Sequence, residues 1–585
     1  CKAICNLSVN TENAVKLGVG GACDAIAFAT LKHISNSEII EWACKAIVNI
    51  ASQESNWPKF RSSLVADALE AIFINHLENR NIIEWVCLSA NAVTLDSQMS
   101  SKMGTMELCE SVIEMLLHYR NDEVIAEHAC TLLVNFSHNE ISNTEKLGKC
   151  GASEAIVSVM KIHVSCGKIV AISLNALSNL AENEENRVKL GVAGACEVVI
   201  DILNRHKTDL VVVRAVCRAV SWLSLNNAQN TANLGRTNAC EGIVKALDKF
   251  QTDSGVAEFA CRSISTLAID ADNRAQLGVY NACEIVVSCF DEYILNSGVM
   301  FQTSMAVGSL ARDHLQNAVK MAALGACGSL VRSMRTHLSD VSVCWSGCRA
   351  FDSLSSQYDT LERDGCGETI VQIMIHHSKN DLVLEWGCQA ISSMAKDQEN
   401  RDTLVASGAC EAVIVSLQRG TGSGDVLVAV VLQKCIGSQS LALAACKAVH
   451  TLGADHDIYR ERLGANGACE AVAKVLQKYA DNEQVAYTGC EAIVTLATKN
   501  FNNRSKLGNA GACKSILMAL EMHRTSQLVA MWGCRAVEIM VDGHDSNIAK
   551  MGSAGVCDAV AIAMQTHQAS PEVAGAGCGA VASLA

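Results

Sequence analysis

The stretch NRVKLGVAGACEVVIDILNRH, residues 186–206, contains a Gly-Ala-Cys triplet that recurs along the chain. The same triplet lies at 21–23, 325–327, 408–410, 467–469 and 511–513, with close variants between these copies. Its last residue defines thirteen register positions, mostly 43 or 44 residues apart, and a second cysteine recurs about 21 residues after many of them. Self-similarity at this period is typical of a helical solenoid, in which each unit buries its apolar face against its neighbours.

Each unit is predicted to contain three helices. In the quoted copy, we expect Asn186 to cap a short first helix that ends at Leu190 and Gly191, because an Asn side chain accepts from free helix amides. Gly194 permits a sharp bend before the second helix, which carries Glu197 in its first turn. The segment LVVVRAVCRAVSWLSLN then predicts the third helix, since its apolar residues recur at helical spacing. The sequence therefore predicts one continuous all-α solenoid over residues 1–585, with about thirteen three-helix repeats after an N-terminal half-repeat.

Composition agrees with helix and excludes several classes of partner. The chain has two prolines, 4% aromatic residues and 50% hydrophobic residues. The formal net charge of −14 argues against generic binding to nucleic acid or to an anionic membrane surface. No run of 18 uncharged apolar residues is present, so no membrane span is predicted. The chain begins at Cys1 rather than Met, and we expect a fragment of a longer polypeptide.

These segments resemble the armadillo repeat family. GACEVVIDIL lies where armadillo repeats begin their second helix with a Gly-Ala-Leu-Pro type sequence, and AVCRAVSWLS lies where they carry Ala-Leu-Trp-Ala-Leu-Ser-Asn-Leu in the third. The resemblance covers essentially the whole chain. It is to the catenin and karyopherin-alpha class, with a texture closer to the Cys-rich arrays of large protist proteins and leucine-rich-repeat kinases. The resemblance implies a right-handed superhelix whose third helices line a concave groove that holds extended partner segments.

The groove positions depart from the karyopherin pattern. Where that family carries Trp, directly after the second cysteine, seven of fourteen residues are basic and none is Trp. A cationic row repels a basic import signal, which argues against an import receptor. The position four residues further on retains Asn49, Asn135 and Asn179, whose side chains are expected to clamp the backbone of a partner.

Aromatic residues are predicted to lie on the same face. Trp42 should lie beside Lys45, because residues i and i+3 share a helix face. Basic groups and indoles together suit an extended acidic or phosphorylated segment. The alternative is that the cations only keep the inner face soluble and the indoles pack between helices. The predicted partner-binding residues are Trp42, Lys45, Asn49, Trp85, Asn135, Asn179, Arg218, Arg262, Arg349, Trp386, Lys447, Trp532 and Arg535.

The cysteines are predicted to fill the core. Repeat register accounts for 23 of the 29, at positions where the family has leucine, and free Cys behaves as a small buried apolar residue. So many thiols indicate a reducing compartment, namely cytoplasm, nucleus, or a cytoskeletal or ciliary location. No C-x-x-C pair is present. A histidine that often follows ten residues after the first cysteine alternates with aromatics, which favours packing over proton transfer. The sequence predicts no catalytic, cofactor or metal site.

One unit is irregular. The spacing from Cys410 to Cys469 is 59 residues, and LQRGTGSGDVLVA resembles LQKCIGSQSLALA at an offset of 15. We expect a 15-residue insertion within about 417–445, either a protruding connection or a gene-model error. The whole pattern predicts a non-enzymatic protein-interaction scaffold. The alternatives are a structural component of a large intracellular assembly, such as a cytoskeletal or ciliary one, and a regulatory array of a multidomain enzyme such as a kinase or ubiquitin ligase.

Overall fold

The structure, a computed structural model, describes residues 1–355, 365–421, 438–454 and 456–585, except for the side chains of 417–421. Helices joined by short turns account for this part of the chain, and no β-strand occurs in it. The chain divides into two compact units, Cys1–Ala282 and Cys283–Ala585. The predicted opening half-repeat is confirmed in the first unit, and the predicted three-helix repeats are confirmed among the described residues of both.

The first unit contains the half-repeat and the repeats that follow it. Its second repeat begins with a short 3-10 turn, Glu54–Asn56. Its helices are α1 (Lys2–Ser8), α2 (Thr11–Val19), α3 (Ala22–Lys32), α4 (Ser37–Ala51), α5 (Trp57–Ser62), α6 (Val65–Asn75), α7 (Arg80–Val93), α8 (Ser97–Met103), α9 (Met106–His118), α10 (Glu123–Ser137), α11 (Ile141–Lys149), α12 (Ala152–Ile162), α13 (Gly167–Leu180), α14 (Glu184–Val192), α15 (Ala195–Arg205), α16 (Leu210–Leu223), α17 (Ala228–Arg236), α18 (Ala239–Lys249), α19 (Ser254–Leu267) and α20 (Ala271–Val279).

The second unit continues the same order. Residues 356–364, where the first helix of the ninth repeat is expected, and most of the expected insertion at 417–445 lie outside the described residues. The helices are α21 (Ala282–Glu292), α22 (Ser297–Ala311), α23 (Leu315–Ala323), α24 (Ala326–Thr336), α25 (Val341–Ser355), α26 (Cys366–His376), α27 (Asp381–Met394), α28 (Gln398–Ala406), α29 (Ala409–Thr421), α30 (Gln439–Gly453), α31 (Asp457–Ala465), α32 (Ala468–Lys478), α33 (Glu483–Ala497), α34 (Phe501–Asn509), α35 (Ala512–Met522), α36 (Gln527–Val541), α37 (Asp545–Ala554), α38 (Val556–Thr566) and α39 (Pro571–Leu584).

Helix length follows position in the repeat. First helices mostly have nine residues, second helices eleven, and third helices fourteen or fifteen. Third helices of neighbouring repeats pack side by side, as α13 and α16 do in the first unit and α36 and α39 in the second. Among the described helices, none is by itself long and apolar enough to cross a membrane; by length and composition alone, the pair α2 and α3, bent by 75°, passes the same test.

The quoted stretch folds as α14, a bend and α15, with one correction. The cap of α14 is Asn183, whose side chain accepts from the amide of Asn186 at 3.1 Å. Asn186 is therefore not the cap. The bend is as predicted, since Gly194 has a φ of 90°, and Glu197 lies in the first turn of α15. Glycine holds this left-handed position in most repeats because a side chain is strained there.

A buried asparagine instead joins most of the described first helices to the repeat before them. The Nδ2 of Asn230 donates to the carbonyl of Arg187 at 3.0 Å and to that of Leu223 at 3.1 Å. Its Oδ1 lies only 1.8 Å from where a Cβ on Gly191 would stand. The asparagine thus fits only because the preceding repeat has glycine there. The Asn–Gly pairs of this kind are Asn56–Gly18, Asn143–Gly104, Asn186–Gly148, Asn230–Gly191, Asn273–Gly235, Asn503–Gly464 and Asn547–Gly508.

The recurring histidines make a second contact between repeats. His206 lies at the end of α15, and its Nε2 is 2.8 Å from the carbonyl of Val164 in the preceding repeat. Tyr119 does the same with its hydroxyl, at 2.8 Å. Packing is therefore joined by a hydrogen bond, in which the imidazole donates because a carbonyl only accepts.

In the ninth repeat, the residue that makes this contact is His377. The ten-residue spacing from Cys366 predicts His376 instead. The Nε2 of His377 lies 2.6 Å from the carbonyl of Leu338. The reason is a register shift of one residue. Gly365 holds the left-handed bend, so Cys366 takes the place that alanine has elsewhere and Gly367 takes the cysteine position.

The repeated cysteines fill the core, as predicted. Cys196 and Cys217 are completely buried, and all the described cysteines are free thiols. Burial raises the pKa of each of these two thiols to about 12. Among the described cysteines only Cys557 and Cys578 are exposed. The described residues also include no cluster of three His, Cys, Asp or Glu side chains that could hold a metal ion.

We expect Gly191→Ala to destabilise the first unit by roughly 3 kcal/mol, because the added methyl group overlaps Asn230 and disturbs its buried hydrogen bonds. Hydrogen exchange of α14 and α17, with the urea midpoint, measures the effect. Gly552→Ala is the matched control, since Gly552 holds the same repeat position but a Cβ there meets nothing within 4 Å. Equal stability of the two variants would contradict the interlock.

We expect alkylation at pH 8 to modify Cys557 and Cys578 well before the buried thiols, which stay protonated because burial raises their pKa. Mass spectrometry of iodoacetamide-treated protein measures the order. Cys196 and Cys557 make a matched pair, because they share one repeat position and differ in exposure. Modification of Cys196 as fast as Cys557 in native protein would show that the core thiols are accessible.

Candidate protein-binding surface

The predicted site residues lie on one side of the third helices. In α4, Ala43, Cys44 and Ile47 are buried, whereas Trp42 and Lys45 are half-buried at the surface. We call this side of the third helices, in either unit, the third-helix face. Long side chains there bury their stems and keep polar ends near water. The face therefore presents both apolar and charged groups.

At the N-terminal end of the first unit, this face carries alternating ammonium groups and indoles. The Nζ of Lys45 lies 5.0 Å from the ring centroid of Trp42 and 4.6 Å from that of Trp85, one repeat further on. The Nζ of Lys2 lies 4.9 Å from the ring centroid of Trp42 as well. The predicted neighbourhood of Trp42 and Lys45 is confirmed. Lys45 is also paired with Glu41, so its charge is partly neutralised within the chain.

The asparagines of this face have internal roles. Asn135 donates to the hydroxyl of Thr94 at 3.1 Å, and Asn179 donates to that of Ser137 at 3.2 Å. Asn49 likewise bonds to the third helix of the preceding repeat. Asn179 is only 2% exposed. The amide groups of these asparagines therefore hold adjacent third helices together.

Further along the first unit, two arginines gather around an indole. The guanidinium of Arg262 lies 3.9 Å from the ring centroid of Trp222, and Arg218 precedes Trp222 by one helical turn. Arg218 donates to the Oδ1 of Asn179 at 2.8 Å. Glu182 is its nearest carboxylate, at 3.8 Å. We call Arg218, Trp222 and Arg262 the arginine cluster.

Burial outweighs the neighbouring carboxylates in setting the pKa values of the cluster. It lowers the pKa of Arg218, and Glu182 opposes the shift only in part. Burial also lowers the pKa of Arg262; the charges of Arg218 and Arg187 add to this effect, and Glu182 and Glu258 oppose it. Both guanidinium groups remain protonated at neutral pH. An anion placed beside them would relieve the repulsion and replace the lost water.

In the second unit, Arg349 is the most strongly desolvated cation of the predicted set. Burial, together with the charge of Arg312, lowers the pKa of Arg349 to about 10. Its guanidinium lies 3.2 Å from the sulfur of Met305 and 5.8 Å from the ring of Trp386. Methionine sulfur and an aromatic face accept a cation but carry no charge to neutralise it.

Towards its C-terminal end the second unit is more mixed. Arg535 is exposed and lies 5.2 Å from the ring of Trp532. Lys447 is also exposed. Glu491 follows at the same repeat position, and its carboxylate lies 3.5 Å from the Nε2 of His450. A carboxylate therefore interrupts the basic row in this section.

Two groups that shape the surface were not predicted. Trp222 lies four residues after Arg218, so the same helix-face rule that placed Trp42 beside Lys45 was sufficient to find it. Glu182 lies just beyond α13 and reaches Arg218 of the next repeat. The sequence gives no sign of that approach, because the two residues are 36 positions apart and meet only when repeats stack.

Comparison with known proteins agrees with this architecture. A family model described as LRRK2 ARM repeat matches residues 240–584. The chain belongs to this armadillo repeat family. Among curated proteins, none matches the sequence.

Solved structures show the same fold at low sequence identity. An engineered protein from the Northeast Structural Genomics Consortium aligns with a TM-score of 0.58 and 17% identity, over 74% of this chain and 98% of its own. A structure from work on a phosphorylation switch that controls the interaction between cadherin and β-catenin aligns with a TM-score of 0.56 and 14% identity, over 89% of this chain and 99% of its own. At these identities the likeness establishes the fold alone. The predicted all-α armadillo solenoid is confirmed.

We expect Arg349→Met to raise the stability of the second unit by about 1 kcal/mol, because an apolar side chain of similar length removes a desolvated charge. The urea midpoint and the thermal midpoint measure the change. Arg332→Met is the control, since Arg332 forms an exposed pair with Asp291 and its loss should change stability by less than about 0.5 kcal/mol. A destabilised Arg349→Met variant would show that this arginine serves the fold.

Proposed function

We propose that this chain is a non-enzymatic protein-interaction scaffold whose third-helix face binds an extended acidic or phosphorylated segment of another protein. In the first unit, the partner segment contacts the arginine cluster and Trp42, Lys45 and Trp85. The second unit has its own third-helix face, with the corresponding residues Arg349, Trp386, Lys447, Trp532 and Arg535. The proposed location is a reducing intracellular compartment, since 29 cysteines occur in the sequence and the described ones are all free thiols.

The arginine cluster is the observation that carries this proposal. Cations that only keep a surface soluble are exposed to water, and their pKa values are not shifted by burial. Arg218 and Arg262 differ, because burial lowers the pKa of both and, within the part of the chain that the structure describes, no carboxylate comes closer than 3.8 Å to Arg218. Half-buried charges of this kind are unfavourable for the fold by itself and favourable once an anion binds.

The indoles support an extended partner with apolar side chains. Trp222 is half-buried, and one of its faces is covered by Arg262. Aromatic and arginine side chains dominate the binding energy of most protein interfaces. The cadherin and β-catenin work named above concerns an armadillo-type neighbour that binds a protein under phosphorylation control, which supports protein binding on this fold.

A second candidate is a regulatory array joined to an enzyme, such as a kinase or ubiquitin ligase. The match to the LRRK2 ARM repeat model is what favours it. In that case, the same face binds a segment of the enzyme's own polypeptide. A catalytic domain in the flanking sequence of the gene would support this candidate.

We expect the double substitution Arg218→Glu and Arg262→Glu to weaken partner binding at least about tenfold, or about 1.4 kcal/mol. The probe is a fluorescent 20-residue peptide of alternating glutamate, phosphoserine and leucine, and the readout is anisotropy at low and high salt. The control is Arg205→Glu with Arg236→Glu, which changes the net charge equally on first and second helices. Circular dichroism checks that both variants fold. Equal affinities of the wild type and the cluster variant would sink this assignment.

A further inference from the structure

We infer, on the basis of the proposed function, that the arginine cluster is a subsite for a phosphoryl group on serine or threonine, and that Glu182 is an internal carboxylate that the phosphoryl group displaces. The partner is then an extended phosphorylated protein segment. Its affinity is set by competition with Glu182.

Glu182 is held in place through its backbone. It follows α13, and its backbone carbonyl accepts from the Nη2 of Arg187 at 3.3 Å, while the Nε of Arg187 donates to Ala181 at 3.0 Å. Arg187 is buried, so the turn that carries Glu182 is fixed. The Glu182 side chain is nevertheless 44% exposed. A fixed backbone with an exposed side chain allows the carboxylate to swing away without disturbing the repeat.

The contact between Glu182 and Arg218 is longer than a hydrogen bond. The carboxylate of Glu182 is 3.8 Å from the Nη2 of Arg218. A charge-assisted hydrogen bond between such groups is usually about 2.7–2.9 Å long. Glu182 therefore acts on the cluster through its charge, and a ligand that forms direct hydrogen bonds has the advantage.

Neighbouring carboxylates do not offset the burial of the two arginines. Glu182 raises the pKa of both Arg218 and Arg262, and Glu258 raises that of Arg262, yet burial keeps both pKa values lowered. A carboxylate of the partner would supply one more negative charge. A phosphoryl group supplies about 1.5 to 2 negative charges at neutral pH and three acceptor oxygens, which match two guanidinium groups.

Both arginines are held in fixed orientations. Arg262 lies over the ring of Trp222 at 3.9 Å. Stacking fixes the plane of the guanidinium and leaves its N–H donors in that plane, where a tetrahedral anion accepts them. Arg218 is fixed through its bond to Asn179. Two pre-oriented arginines lose little freedom on binding, and this favours phosphate over the flatter, singly charged carboxylate.

The test uses three fluorescent, degenerate 15-residue peptide libraries whose central residue is phosphoserine, glutamate or serine. The readout is the anisotropy of each library when the full 585-residue chain is added. For the wild type, we expect phosphoserine to bind at least about tenfold more tightly than glutamate. Glu182→Gln should tighten phosphoserine binding about threefold or more. Glu185→Gln is the matched control. It removes the same charge three residues further along the chain, from a side chain that is paired with Lys189, and it should have no effect on binding. Arg218→Gln should abolish the preference for phosphoserine.

The outcomes separate this inference from the proposed function. Equal binding of the phosphoserine and glutamate libraries, both lost on charge reversal of the cluster, would overturn the phosphoryl subsite and leave an acidic-segment scaffold. Unchanged affinity of Glu182→Gln would overturn the displacement of Glu182. Binding of none of the libraries by the wild type would overturn the proposed function itself. Competition by inorganic phosphate or phosphoinositide vesicles as effective as the peptide would overturn a protein partner in favour of a free or lipid-borne phosphate.

Discussion

The interlock between a buried asparagine and a glycine of the preceding repeat sets the geometry on which everything else depends. Asn230 joins the first helix of its repeat to Arg187 of the preceding first helix and to Leu223 of the preceding third helix. Because no side chain fits at Gly191, the two repeats approach at one fixed distance. Side chains from successive third helices can therefore meet at defined spacings, and the arginine cluster exists only because they do.

The period, the bend glycines and the buried cysteines could be predicted from sequence because they are local signals repeated many times. The pairing of each asparagine could not, since its partner in the preceding first helix lies about 43 residues earlier. The sequence suggested that Asn186 caps its helix, whereas the cap is Asn183, three residues before it. In the ninth repeat, Cys366 matched the register by identity, while the left-handed Gly365 shows that the true position is Gly367.

On the candidate surface, too, contacts within one helix could be predicted from the sequence, whereas contacts between repeats could not. The contact of Trp42 with Lys45 lies within one helix and was predictable from the helical period. The stacking of Arg262 on Trp222 and the approach of Glu182 to Arg218 join different repeats, so only the stacked structure reveals them. The asparagines that were expected to bind a partner's backbone form hydrogen bonds to the adjacent third helix, and these too are contacts between repeats. The cations and indoles of the proposed binding surface lie on a protein whose formal net charge is −14.

The most direct test of the central claim is to locate a bound acidic segment on the chain. A phosphoserine peptide library carrying a photoreactive benzophenone next to the phosphorylated residue is cross-linked to the wild-type chain, and mass spectrometry identifies the attachment sites. We expect attachment to α13, α16 and α19, close to Arg218 and Arg262. Attachment to the first and second helices, with these third helices unmodified, would contradict it.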